Sequence, residues 1–223
     1  MDIFEDRHLI RERLLADATH RMKNIMGGIS GFAALLSKEM DERSGDYPLV
    51  ARIQENVMRL DQFLVDVMTL VRERSLHTET IDIPSTIREV CVNYYEDVND
   101  DSFAFPFEVE SSQPKIAFTA DPLLIRNGFY HALHFVDLVS SKIDSLKIIS
   151  EGSALQIRYD FACEDSLDCL KDDIVTGLGS LESIDARLSL AVSVKVIRQH
   201  GGEVLIEHER GNHWGLVLTL GKE

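Results

Sequence analysis

The 223-residue sequence predicts an α+β chain in two parts, a helical hairpin followed by one sheet covered by helices. Three observations carry that expectation. Apolar residues recur every three or four positions through two long stretches at the amino end. Turn formers and a proline separate those stretches, and after Ser75 the pattern changes to short β-like runs alternating with helices.

The first stretch runs from about Asp6 to Met40, where Leu14, Ala18, Met22, Ile25, Ile29, Phe32 and Leu36 mark the apolar stripe of one long helix. Asp41 to Pro48 supplies the turn, with Pro48 suited to a helix start. Val50, Ile53, Val57, Leu60, Leu64, Val67 and Val71 then mark a second helix. Two helices cannot enclose both stripes alone, so a four-helix bundle made by two copies is expected, and the chain is predicted to be a homodimer. The second part is expected to open with a strand at 81–83 and a helix at 84–95. Strands follow at 103–109, 115–119, 145–149, 155–161, 203–208 and 214–220, with helices at 122–140 and 188–200. The acidic stretch from Glu164 to Asp173 reads as a solvated loop. The domains are therefore expected at 1–76 and 77–223.

Composition narrows the classes of function. A formal net charge of −15 argues against a nucleic-acid footprint, which needs a surplus of Lys and Arg on one face. The amino end is charged where a signal peptide is apolar, and no run is long enough to span a bilayer, so a cytoplasmic, complete chain with no membrane contact is expected. Cys91, Cys163 and Cys169 have neither the number nor the spacing of a disulfide framework or a zinc site.

Chemistry concentrates around His20. At about 100° per residue, Asp17, His20, Asn24, Gly27 and Gly31 share a face away from the apolar stripe, so the imidazole is expected to point into solvent. That suits in-line phosphoryl transfer, for which positioning and charge stabilisation suffice. Arg21 and Lys23 are near enough in sequence to neutralise phosphoryl oxygens. The run His20-Arg21-Met22-Lys23-Asn24, continued by Ile29-Ser30-Gly31-Phe32-Ala33-Ala34-Leu35-Leu36, resembles the phosphoacceptor box of histidine kinases. Its Arg21 is similar to the subfamilies that place arginine after the histidine, where the commonest kinases have an acidic residue. Arg59 to Leu70 is similar to the partner helix of the same bundle. Asn24 matches the position at which related kinases use an amide or hydroxyl to orient water for dephosphorylating their partner.

Asp121-Pro122 with the helix after it, and Leu188 to Gly202 with a closing two-strand hairpin, resemble the catalytic domain of histidine kinases, the Bergerat ATP-binding fold. The resemblance implies a degenerate copy. His131 or Phe135, depending on register, falls where that family has the magnesium-binding amide. Asp160-Phe161-Ala162-Cys163-Glu164 is the nearest match to its Asp-x-Gly-x-Gly, with neither glycine. Arg187-Leu188-Ser189-Leu190 replaces its Gly-x-Gly-Leu phosphate turn, and side chains there obstruct the backbone N–H groups. Gly177-Leu178-Gly179 reads as a flexible lid remnant, His131 and His134 as a core or surface pair, and His200-Gly201-Gly202 as a helix C-cap.

Together these features imply a histidine phosphotransferase without ATP-dependent autokinase activity, which shuttles a phosphoryl group between receiver-domain aspartates of a two-component phosphorelay through His20. ATP binding is expected to be lost, no cofactor is expected on the chain, and magnesium is expected to come with the receiver. Response regulator receivers, and a hybrid histidine kinase, are the expected partners. Two alternatives stand beside this reading: a non-catalytic scaffold that binds a kinase or receiver, and an active kinase with a divergent pocket.

Overall fold

The computed structural model describes residues 3–39, 47–72, 75–95, 107–152, 154–171 and 173–221, with the side chains of 3–17, 20, 39, 47, 48 and 176 left aside. The chain forms two compact units, Met1–Arg74 and Ser75–Glu223.

The first unit is the hairpin of α1 (Ile3–Glu39) and α2 (Tyr47–Val71). Pro48 sits in the first turn of α2, where a missing N–H costs nothing, and the turn expected at Asp41 to Asp46 lies outside the described residues. The α2 stripe is buried in part as predicted, at Val50 and Leu64, but α1 does not meet α2 along its own predicted stripe. Their seam on α1 runs through Thr19, Met26 and Ala33, each under 7% exposed and spaced by seven residues, and on α2 through Val50, Leu64 and Met68. Lys23 and Asp61 pair across it at 3.2 Å. The predicted stripe lies beside that seam and is open in the single chain: Met22, Ile25, Ile29, Phe32 and Leu36 are all more than 40% exposed. Helix α1 thus carries two apolar surfaces and buries one of them within its own chain.

The second unit is a sheet with helices on one face. Its elements are β1 (Glu79–Asp82), α3 (Ile83–Tyr95), β2 (Glu108–Ser111), β3 (Ala117–Ala120), α4 (Pro122–Val139), β4 (Lys142–Glu151), β5 (Ala154–Ala162), a short α5 (Ile174–Gly177), α6 (Ile184–Gln199), β6 (Glu203–His208) and β7 (His213–Gly221). The strand expected at 103–109 is β2, displaced toward the carboxyl side, and 103–106 lie outside the described residues. Five strands pair in the order β2-β4-β5-β7-β6, with β2 parallel to β4 and the rest antiparallel, while β1 and β3 form a separate ribbon. Leu155, Ile157, Tyr159 and Phe161 of β5 alternate inward and are essentially unexposed. Leu216, Leu218 and Leu220 on β7 do the same beside them, as do Phe129, Leu133, Leu190 and Ile197 from the covering helices.

Both covering helices start on a side-chain cap. Asp121 accepts from the amides of Leu123 and Leu124 at α4, and Ser183 accepts from Ala186 at α6. The Ser183 cap explains why α6 begins four residues before the predicted Leu188. At the other end of α6, Gly201 takes φ 71°, the left-handed conformation that closes a helix and that a side chain disfavours. The stretch Glu164 to Asp173 is not wholly solvated: a 3-10 turn spans Asp168–Leu170, and Leu167 and Leu170 are buried.

Candidate functional site

Helix α1 places the backbone of His20 on the same strip as Asn24, Gly27 and Gly31, all three exposed; the His20 side chain lies outside the described residues. A Cβ built on Gly27, Gly28 or Gly31 meets nothing within 4 Å, so this strip has open space above it. Arg21 is exposed at the next helical position. Lys23 turns the other way, its ammonium 3.2 Å from Asp61 of α2, with both side chains partly in water. Such an exposed pair contributes on the order of 0–1 kcal/mol, so Lys23 is held weakly and can turn from Asp61 to an incoming anion at little cost. Asp61 was not singled out in the sequence, where its acidity on a polar face gives no sign of a partner on another helix.

In the second unit the three positions tied to nucleotide chemistry are all engaged in packing or ion pairs. His131 of α4 is 2% exposed, with Nδ1 3.4 Å from the hydroxyl of Ser189 on α6, and Phe135 is completely buried. Gly128, on the same face, lets α6 approach so closely that a Cβ there would stand 2.8 Å from Cγ1 of Val196.

Asp160 points away from the helices. Tyr159, its neighbour, faces α4 through a 3.5 Å contact from its hydroxyl to the Phe129 carbonyl, so alternation sends Asp160 to the opposite face of the sheet. There its carboxylate accepts from Lys147 Nζ at 2.8 Å, Arg158 Nε at 2.6 Å and Ser145 Oγ at 3.0 Å. Burial pushes the carboxyl up, but these hydrogen bonds outweigh it and hold Asp160 below its ordinary value. Arg158 lies across Gly215 and also donates to Glu207 and Glu209, so one guanidinium joins β5 to the β6 end of the sheet.

Arg187 to Leu190 lie within the first two turns of α6, with Ser189 and Leu190 buried and Arg187 donating to the Glu182 carbonyl at 3.1 Å. The segment before α6 is packed down. Leu167, Leu170, Ile174 and Leu181 are buried, and Lys171 sits 5.1 Å over the Trp214 ring while pairing with Asp168. Gly177, expected in a flexible remnant, is instead the last residue of α5 and abuts the Cys169 carbonyl too closely for a side chain. His134 Nδ1 lies 2.9 Å from the Tyr94 hydroxyl, which donates to Asp137. Among the described residues no three His, Cys, Asp or Glu side chains gather in a way that would hold a metal ion, and no helix is long and apolar enough to cross a membrane.

Residues 10–76 match the family model described as the His Kinase A (phospho-acceptor) domain. The sensor histidine kinase ZraS of Escherichia coli (strain K12) is 20% identical over 209 residues, which cover 93% of this chain and 44% of that protein. Full-length ShkA in complex with AMPPNP superposes with a TM-score of 0.74 at 17% identity, over 95% of this chain and 46% of that one. The histidine kinase ThkA in complex with the response regulator protein TrrA gives 0.62 at 19% identity, over 98% of this chain and 64% of that one. The chain thus spans less than half the length of ZraS and of ShkA, and likeness at these identities establishes the fold. Residues 10–76 are thus similar to a phospho-acceptor domain, and the second unit shares the fold of histidine kinase catalytic domains.

Proposed function

We propose that the chain is a dimeric histidine phosphotransferase that moves phosphoryl groups between receiver aspartates through His20. The observation that carries this reading is the contrast between its two units. An open strip around the phosphoacceptor position stands beside a second unit whose His131, Phe135, Asp160 and Arg187 to Leu190 are committed to packing and ion pairs. Those residues do not fit magnesium-ATP: a buried imidazole or a phenyl ring, depending on register, falls where an amide would meet the metal, and the Asp160 carboxylate is taken up by Lys147 and Arg158. A phosphoryl source on another protein removes the need for a nucleotide.

In the transfer, an imidazole nitrogen of His20 attacks the phosphorus of an aspartyl phosphate. The P–N bond forms as the P–O bond breaks, and the aspartate leaves as a carboxylate; the second transfer reverses these bonds on another receiver. The receiver brings its own magnesium, and Arg21 and Lys23 add positive charge beside the three equatorial oxygens. In this reading Asn24, one turn on, orients water against the receiver's phosphoryl group. The complex of ThkA with a response regulator supports a receiver as partner. The exposed stripe on α1 supports a second copy as the remaining half of a four-helix bundle.

The test is phosphotransfer profiling. Wild-type chain is expected to gain acid-labile phosphate from at least one phosphorylated receiver of its own genome, and His20→Gln none. If no receiver transfers, the reading fails. The scaffold reading has one observation in its favour: Lys23 is turned to Asp61 and Arg21 replaces an acidic neighbour, so no side chain described beside His20 tunes the imidazole. Under that reading His20→Ala leaves the signalling output unchanged. Binding of ATP with magnesium would instead restore the active-kinase reading.

A further inference from the structure

Residues 75–78 enter the second unit with little to hold them. Ser75, His77 and Thr78 are exposed, and Leu76 and Thr78 line one wall of an open groove of about 470 Å³ beside Thr119, Gln199 and His200. Yet the backbone N–H of His77 donates to Oδ2 of Asp121 at 3.1 Å, and Asp121 is only 8% exposed. The same carboxylate accepts at Oδ1 from Leu123 and Leu124, and its backbone N–H donates to Nε2 of His200 at 3.1 Å. His200 in turn holds the α6 end, its Nδ1–H donating to the Val196 carbonyl at 2.8 Å. One residue therefore ties the incoming chain to the start of α4 and the end of α6.

We infer that Asp121 is the anchor that fixes the chain's entry into the second unit. Helical hydrogen bonding from α2 runs to Arg72, whose N–H donates to Met68 at 3.0 Å, and among the described residues the next fixed point is His77. The five Cα steps between them span at most about 18 Å in any conformation. Without the anchor, the next fixed point is Glu79, where β1 pairs with Ala120, and the two added residues lengthen the reach by about 7 Å. The anchor thus shortens by two residues the stretch between α2 and the first fixed residue of the second unit.

Two variants remove the bond from opposite sides. His77→Pro deletes the donor without touching Asp121. Asp121→Ser keeps a capping hydroxyl for α4 and loses the reach to His77. Trypsin cleavage after Arg72 and Arg74 is measured in the full chain and normalised to a synthetic peptide of each variant's sequence. Both variants are expected to cleave about tenfold faster than wild type, the factor carried by a hydrogen bond to a charged acceptor. Circular dichroism is expected to be unchanged for His77→Pro. Acceleration in Asp121→Ser alone would trace to fraying of α4 and overturn the anchor, as would wild-type rates in both.

Discussion

Gly128 and Val196 hold α4 and α6 together by the absence of a side chain: a Cβ at position 128 would lie 2.8 Å from Cγ1 and 3.1 Å from Cβ of Val196. Val196 is fully buried and β-branched, so it has little freedom to turn aside. Overpacking of this kind costs about 1–3 kcal/mol, and the better helix propensity of alanine returns about 1 kcal/mol. Gly128→Ala is therefore expected to destabilise the second unit by about 1 kcal/mol. Trp214, the chain's single tryptophan and buried in that unit, reports the unfolding by fluorescence in urea. In a Val196→Ala background the same substitution is expected to be neutral or stabilising. A higher midpoint for Gly128→Ala alone would show that the helices separate freely.

The Asp160 cluster makes a prediction about acid. Its carboxyl is held below the ordinary 3.8 in the folded chain, so the stability it contributes is complete above that value and lost as pH falls through the folded one. At neutral pH, Asp160→Asn is expected to cost about 1–3 kcal/mol, because Lys147 and Arg158 lose a charged acceptor. The urea midpoints of wild type and variant should then converge as pH falls below the ordinary 3.8 and the wild-type carboxyl gains its proton. Parallel curves from pH 7 to pH 3 would mean that the ion pairs on this face contribute nothing to stability.

Much of this was legible in the sequence, for identifiable reasons. The helix expected from Pro122 begins there, with a proline in its first turn and Asp121 as its cap. His200-Gly201 reads as a helix end, and Gly201 takes the left-handed conformation. The α1 side of the hairpin seam was not legible, because α1 carries apolar residues on two surfaces and periodicity alone selects the more hydrophobic one. That surface, with Ile25, Ile29 and Phe32, is the exposed one; small or weakly polar Thr19 and Ala33 lie in the seam. The segment before α6 was hidden by composition. Leu167, Leu170, Ile174 and Leu181 follow neither a helical nor a strand period and stand among acidic residues, so nothing local marks them as buried. The Asp160 side of the sheet was invisible for a different reason, since Lys147 and Glu207 approach it from other strands through pairing that a linear reading does not supply.

The strip around His20 yields the last prediction, in which stability and function move in opposite directions. Gly31 lies exposed on α1, 11 residues and about three turns after His20, and a Cβ there meets nothing within 4 Å. A mid-helix glycine costs about 0.5–1 kcal/mol relative to alanine, so filling the position should stabilise the hairpin. Under the proposed function, a receiver lays a helix against this strip to bring its aspartyl phosphate to His20, and a bulky residue at 31 holds the two backbones apart. Gly31→Leu is therefore expected to raise the melting temperature of the hairpin, leave the dimer intact in sedimentation, and slow phosphotransfer at least tenfold, about 1.4 kcal/mol of lost docking. A small residue separates bulk from backbone freedom: Gly31→Ala should give most of the stabilisation and little of the kinetic loss. If Gly31→Leu transfers at the wild-type rate while remaining dimeric, receivers do not dock here. The glycines would then be ordinary surface positions of a bundle that tolerates them.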